Sequence, residues 1–176
     1  MLRSPSDGSG VPSASSAVSA LKKPSRLDEL AAERHYWRSA GLRVVLTNGC
    51  FDLLHPGHLA LLEAARAEGD RLVVAVNSDA SVRALKGGGR PVTPERERSE
   101  LLLALEPVDR VVVYGEPTPI EVVRALLPDV LVKGADWAED AIVGRVEVEA
   151  AGGRVVRVAL VPDRSTTGIL QRVRAG

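Results

Sequence analysis

Short apolar runs rich in valine recur along this chain at Val44–Leu46, Leu72–Val76, Val111–Val113, Val130–Val132 and Val155–Val158. Helix-like segments separate and follow them, near Gly57–Glu68, Ser78–Leu85, Pro94–Leu105, Pro119–Leu127 and Asp140–Ala151. Near-continuous valine leaves a strand no face suited to water, so such strands are buried on both sides. Strands of that kind, each followed by a helix, predict a parallel sheet between two helical layers. Right-handed crossovers make that sheet doubly wound.

Local chemistry sets the boundaries. A first helix is expected from about Ser25 to Ser39, with Leu27, Leu30 and Ala31 on one face and Gly41 closing it. A last one is expected over Thr166 to Val173. Thr118-Pro119-Ile120-Glu121 reads as a capping box with proline at the first helical position, and Thr93-Pro94 repeats the cap-plus-proline start. Lys86-Gly87-Gly88-Gly89-Arg90-Pro91 is expected to be the most mobile internal loop, because three glycines restrict the backbone little. The first twenty residues hold seven serines, two glycines and two prolines and little to bury, so residues 1–22 read as a disordered tail. Residues 23–176 then form one domain, a length that supports an ordinary core.

Composition narrows the partners. The 23 Lys and Arg residues balance 23 Asp and Glu residues, so no global field draws the chain to nucleic acid or membrane. A small anion at a local site stays open. The single cysteine, Cys50, excludes an internal disulfide and a multi-cysteine zinc site. No apolar run approaches the roughly 20 residues that span a bilayer, and the N-terminus lacks the apolar core of a signal peptide. The expected compartment is the cytoplasm.

The richest stretch follows the first valine run: Thr47-Asn48-Gly49-Cys50-Phe51-Asp52-Leu53-Leu54-His55-Pro56-Gly57-His58. It falls in a strand-to-helix loop, where a parallel α/β sheet holds its ligands and where a helix N-terminus offers free N–H groups to phosphate. Two of the three histidines of the chain sit there within four residues. A spacing of three places His55 and His58 on one side of a first helical turn, about 5–6 Å apart at Cβ. Gly57 between them lets backbone approach a phosphate without a Cβ in the way. Two imidazoles can hydrogen-bond one phosphate or two adjacent ones, and phosphoryl or nucleotidyl transfer asks the protein mainly for positioning and charge stabilisation. One histidine as a cap with the other on the surface is the plainer alternative. A metal site is a second, but no Cys/His cluster elsewhere completes it.

Other positions read two ways. Ser165-Thr166-Thr167, just before the last helix, is either a phosphate cradle or an ordinary N-cap. Lys86 is either a cation that closes over phosphates or a solvated lysine. Asp79 reads as a helix cap or as a binding residue, Asp52 as a ligand contact or as a carboxylate that stabilises its loop, and Trp137 as a binding or a packing residue. Cys50, with only the two histidines near as bases, reads as buried and structural. Glu95–Glu100 reads as a solvated helix face.

The stretch from Thr47 to His58 resembles the signature of the HxGH nucleotidyltransferases, a superfamily that includes the cytidylyltransferases, pantetheine-phosphate adenylyltransferase and, more distantly, class I aminoacyl-tRNA synthetases. The likeness continues through Val76-Asn77-Ser78-Asp79-Ala80-Ser81-Val82, Leu85-Lys86-Gly87, Arg90-Pro91-Val92, Val132-Lys133-Gly134-Ala135-Asp136 and Arg164-Ser165-Thr166-Thr167. Together these resemble the D-glycero-β-D-manno-heptose 1-phosphate adenylyltransferases, which occur alone or as the C-terminal half of a bifunctional kinase/adenylyltransferase.

The resemblance implies transfer of AMP from ATP to a heptose 1-phosphate, giving ADP-heptose for surface polysaccharide and releasing pyrophosphate. The acceptor oxygen would attack the α-phosphorus in line, with no covalent enzyme intermediate. His55, His58 and Lys86 would be catalytic. Nucleotide would be bound by Asn48, Gly49, Cys50, Phe51, Gly57, Lys133, Gly134, Asp136, Arg164, Ser165, Thr166 and Thr167, with Mg²⁺ bridging phosphate oxygens. Asp52, Asn77, Asp79, Arg90 and Arg98 would bind the sugar phosphate, with Ser78 beside them. The expected fold is a three-layer α/β/α Rossmann-like domain with a five-stranded parallel sheet ordered 3-2-1-4-5. A homodimer is possible for this superfamily. Residues 1–41 are too few for a sugar-kinase domain, so a separate kinase and phosphatase are expected in the pathway. The competing readings are a related enzyme such as a glycerol-3-phosphate cytidylyltransferase, and a nucleotide-binding module without turnover.

Overall fold

The computed structural model describes residues 24–159, 161 and 165–175. The expected tail at 1–22 and Arg164 lie outside these. In chain order the elements are α1 (Leu27–Ser39), β1 (Val44–Gly49), α2 (Pro56–Ala67), β2 (Arg71–Asn77), α3 (Asp79–Lys86), α4 (Glu95–Leu103), β3 (Arg110–Tyr114), α5 (Ile120–Leu126), β4 (Val130–Gly134), a 3-10 turn (Glu139–Ala141), α6 (Arg145–Ala150), β5 (Arg154–Val158) and α7 (Thr166–Ala175). The five strands form one parallel sheet in the order β3-β2-β1-β4-β5, as expected.

Alternation along β1 divides the core between the two faces. Val44 and Leu46 point to a layer made by Leu30 and Trp37 of α1, Val122, Val123 and Leu126 of α5, and Val148 of α6. Val45 points the other way, to Leu62 and Ala65 of α2 and Leu102 and Leu103 of α4. Burial on both faces is the physical content of the valine runs of β1, β2 and β4, whereas the edge strand β5 is only half-buried, with Arg154 and Arg157 exposed.

The first helix starts two residues later than the composition suggests. Ser25 forms a parallel bridge with Val112, and its N–H donates to the Val111 carbonyl at 2.8 Å, so α1 begins only at Leu27. Arg34, 4% exposed, ties α1 to the end of α5. Its Nε donates to Leu126 O and its Nη2 to Leu127 O, each at 3.1 Å, and Nη2 also pairs with Asp129 at 3.0 Å. These are the carbonyls that a helix C-terminus leaves without intrahelical donors. The other Asp129 oxygen accepts from Val44 N–H at 2.7 Å, which anchors the start of the central strand.

Both threonine caps are corrected. Pro119 and Pro94 themselves occupy the N-cap positions of α5 and α4, with no side-chain cap bond. Thr93 instead donates its N–H to Asp52 at 2.9 Å. The helix expected over Asp140–Ala151 is split into the 3-10 turn and α6. Gly144 between them adopts φ +89°, where a Cβ would lie 2.7 Å from Val123 Cγ2. Lys86 is the last residue of α3, not part of the glycine loop. Among the described residues no helix is long and apolar enough to cross a membrane.

Candidate active site

A cavity of about 560 Å³ opens above the C-terminal edge of the sheet. Its floor is the end of β1 and the loop into α2. His55 is the N-cap of α2, Pro56 and Gly57 follow, and His58 completes the first turn. His58 N–H and Leu59 N–H both turn back to the His55 carbonyl, at 2.9 and 3.3 Å. Proline has no N–H, so Gly57 supplies the first-turn donor that meets no protein acceptor among the described residues. Both histidines and Gly57 line the cavity.

The imidazole rings are stacked, with centroids 3.8 Å apart and planes 19° apart. Phe51 lies against His58, centroid to centroid 5.1 Å. Phe51 holds φ +48°, a left-handed conformation rare outside glycine, and its ring passes so close to Gly49 that a Cβ there would sit 3.2 Å from Cε2. Glycine at 49 thus lets Phe51 fold under the histidine pair. Burial, and then the neighbouring His55, depress the His58 pKa from 6.5 to about 4. At neutral pH His58 is therefore a neutral imidazole. Its Nδ1 is buried with no hydrogen-bond partner among the described residues.

Two buried ion clusters hold this loop from below. Asp52, 3% exposed, accepts from Val92 N–H at 2.8 Å and Thr93 N–H at 2.9 Å on one oxygen and from Arg90 Nε on the other. It borders the cavity, but its oxygens serve the loop before α4. Arg98, fully buried on α4, donates to Thr93 O at 2.9 Å, Asn77 O at 2.9 Å, Cys50 O and Asp79 Oδ1 at 2.7 Å. Asp79 and Glu95 exchange backbone bonds: Glu95 N–H donates to Asp79 at 2.8 Å and Asp79 N–H to Glu95 at 2.6 Å. The cap of α3 is Ser78, whose Oγ accepts from Ser81 N–H at 3.2 Å. Asp79 and Arg98 do not line the cavity. Of the solvated face expected over Glu95–Glu100, Arg96 and Glu97 are exposed, while Arg98 is turned inward and Glu95 is tied to Asp79.

Cys50 and Asn77 are joined by a weak Sγ-to-Oδ1 contact at 3.8 Å, and burial raises the Cys50 thiol pKa, so it stays protonated. Both residues line the cavity, as do Asn48, Gly49, Phe51, Lys86 and Arg90.

The far wall comes from β4 and α7. Lys133 is 7% exposed, and burial lowers its pKa to about 8 in spite of Asp136. Its Nζ lies 5.1 Å from the Trp137 ring, within cation–π range. Gly134, Asp136 and the half-exposed Trp137 complete that wall. Ser165 caps α7, accepting from Gly168 N–H at 3.1 Å, and Thr166 Oγ1 reaches Leu53 O at 3.4 Å. The cap is formed by Ser165, and Ser165, Thr166 and Thr167 all line the cavity. Tyr114, Pro117, Thr118 and Pro119 also line it and were not singled out as binding residues. The valine run of β3 disguises Tyr114, because only its register with Asn77 brings it to the site.

A parallel sheet whose central strand ends in paired histidines, with free helix N-termini and lysines around one cavity, defines a nucleotidyltransferase. The family model described as cytidylyltransferase-like matches residues 46–169. The chain belongs to the cytidylyltransferase-like family. It is 54% identical over 156 residues to the bifunctional protein HldE of Mesorhizobium japonicum, covering 88% of this chain and 32% of that protein. It is 51% identical over 151 residues to the bifunctional protein HldE of Methylobacillus flagellatus, covering 86% and 31%. The chain thus spans about a third of the length of these curated relatives. Among solved structures it is similar to a lipopolysaccharide core biosynthesis protein from Thermoplasma volcanium, with a TM-score of 0.57 and 30% identity, covering 69% of this chain and 98% of that one.

Proposed function

We propose that this protein transfers AMP from ATP to D-glycero-D-manno-heptose 1-phosphate, yielding ADP-heptose and pyrophosphate for surface polysaccharide. The observation that carries the reading is the stacked pair His55 and His58 beside the Gly57 N–H of a helix N-terminus, unpaired among the described residues, at the floor of a cavity of about 560 Å³. A phosphate oxygen of the sugar 1-phosphate forms a bond to the α-phosphorus while the bond to the β-phosphate bridging oxygen breaks, and pyrophosphate leaves. The α-phosphorus gains charge at that point. His58, neutral at neutral pH, supplies a hydrogen-bond donor to it without adding a buried cation. Lys133 and Lys86 offset the triphosphate charge from opposite sides. Ser165 to Thr167 present the start of α7 to the leaving phosphates.

Magnesium accompanying ATP would neutralise charge on the phosphates and orient them. Among the described residues no group of three or more His, Cys, Asp or Glu side chains could hold a metal, and the Asp52 oxygens are already engaged. The ion would thus be held by phosphate oxygens and water, which suits its chemistry.

The kinship with proteins named as bifunctional HldE and as lipopolysaccharide core biosynthesis supports the sugar class. The test is pyrophosphate release with ATP, Mg²⁺ and the heptose 1-phosphate, run beside CTP with glycerol 3-phosphate. The heptose pair is expected to react faster. Faster turnover of CTP with glycerol 3-phosphate would reassign the chain as a cytidylyltransferase. ATP binding without turnover of any acceptor would make it a binding module.

A further inference from the structure

The C-terminal edge of the sheet carries two kinds of polar side chain on one face. Asn77 and Tyr114 end β2 and β3, Asn48 is the penultimate residue of β1, and alternation puts all three on the face packed by α1 and α5. Asn77 and Tyr114 are register partners. Asn48 Nδ2 donates to Tyr114 Oη at 3.2 Å, and Asn77 Nδ2 donates to Ser81 Oγ at 3.0 Å. Tyr114 is 5% exposed and Asn77 4%, yet all three line the cavity. None of the three is charged at neutral pH, and burial raises the Tyr114 pKa further.

This row runs from the centre of the sheet toward β3, away from the lysine and helix terminus that suit phosphate. Lys133 continues it on β4, and Ser165 to Thr167 lie beyond. The polar atoms of the row are not all satisfied. Asn48 Oδ1 is buried with no partner among the described residues. A carboxamide can be turned end for end, but either orientation gives Tyr114 Oη one amide atom and leaves the other without a bond. Buried polar atoms are nearly always paired, so an orphan beside a cavity marks a place for a ligand group. A neutral donor–acceptor row next to a charged site suits hydroxyl groups, each of which donates and accepts.

Building on the heptose-phosphate reading, we infer that Tyr114 and Asn48 form a hydroxyl-recognition shelf that selects the polyol part of the acceptor, leaving the nucleotide to the β4 side. Asn48 thereby moves from the nucleotide to the acceptor. Thr118 and the flanking prolines Pro117 and Pro119, ahead of α5, form the rim of the shelf. A site built to hydrogen-bond a hydroxyl rejects analogues that lack it, because its own buried groups are then left unpaired.

The experiment is steady-state pyrophosphate release by the wild type and Tyr114→Phe, with ATP and acceptor varied in turn. Phenylalanine keeps the ring and its packing, and a thermal melt checks that the fold is retained. The KM for the sugar phosphate is expected to rise about three- to tenfold, the worth of one neutral hydrogen bond, while the KM for ATP stays within about twofold. Asn48→Ala should raise the acceptor KM in the same way, and with Tyr114→Phe the effects should be less than additive, since the two side chains touch. A rise confined to ATP, or no change for either substrate, overturns the shelf.

If the wild type prefers glycerol 3-phosphate or another polyol phosphate, the heptose reading fails, and the same KM comparison with that acceptor still decides the shelf. If it turns over no acceptor, calorimetry with heptose 1-phosphate and glycerol 3-phosphate decides: binding weakened by Tyr114→Phe supports the shelf, and no binding to the wild type overturns it.

Discussion

Arg98 and Asp79 meet at 2.7 Å where the arginine side chain has no exposure at all, although 19 residues separate them in the chain. The same guanidinium reaches the carbonyls of Cys50 and Asn77, so one side chain fixes the histidine loop to the end of β2. Arg98 holds the floor of the cavity, since its guanidinium is spent on Thr93, Cys50, Asn77 and Asp79. Replacing it with alanine leaves buried carbonyls and a carboxylate without their donor. Loss of one partner of a buried pair typically costs about 3–5 kcal/mol. Denaturant titration of Arg98→Ala is expected to show a loss of that order. Arg98→Lys should recover only part of it, because one ammonium cannot reach four acceptors around a planar fork. A melt within about 0.5 kcal/mol of wild type, the size of an ordinary surface change, would remove Arg98 from this role.

His58→Ala is expected to lower kcat by at least about a hundredfold, the usual consequence of losing one transition-state donor. The KM for ATP should change far less, since the interaction grows as charge develops on phosphorus. Single-turnover measurements separate this from slow product release. A near-wild-type kcat would take the stacked histidines out of the chemistry.

Acid should destabilise the fold through the same residue. The His58 pKa falls from 6.5 to about 4 on folding, so between those values the unfolded chain binds a proton that the folded one refuses. The contribution of His58 to stability is complete above pH 6.5 and is lost as pH falls toward 4. A melting series across that window should show the loss, and His58→Gln should flatten it.

Lys133 is expected to govern the alkaline side of ATP binding. Below its pKa of about 8 the free protein holds an ammonium there for a triphosphate to meet, and above it a neutral amine. Affinity for ATP is expected to weaken as pH rises through about 8. Lys133→Met should bind ATP weakly on both sides of that value, with the pH dependence removed. Calorimetry at several pH values reads this directly, and an unchanged slope in the variant would assign the dependence elsewhere.

Gly49→Ala tests the support beneath the histidines. The added methyl would meet Phe51 Cε2 at 3.2 Å, and Phe51 already sits in a left-handed conformation against His58. The ring has to give by a few tenths of an ångström. Turnover is therefore expected to fall more than stability does, because a small displacement of a catalytic group weighs heavily on rate. Paired kcat and melting measurements check the ratio.

The valine runs, the helices between them and the place of the histidine loop could be read from local patterns. Each is a short-range property: periodicity, turn residues, and a spacing of three on one helical turn. Where local signals failed, a longer-range contact had intervened. The threonines before Pro94 and Pro119 have the residue type of caps, but Asp52 claims Thr93 N–H from 41 residues away. The helix over Asp140–Ala151 breaks where Gly144 packs on Val123. Asp52 reads equally as a ligand contact or as a carboxylate that stabilises its loop, and resemblance alone places Arg98 near the substrate. Their full engagement appears only when the loop before α4 is folded against β1 and β2.

The sequence by itself determined a parallel α/β sheet with two imidazoles at the end of its central strand, since burial pattern and helical spacing are written into consecutive residues. The tertiary structure alone decided how the rings stack, which charges pair beneath the loop, and that Tyr114 joins Asn48 across 66 residues. Those relations depend on strand register and on which buried polar groups find each other. Partners so far apart in the chain leave no periodic trace along it.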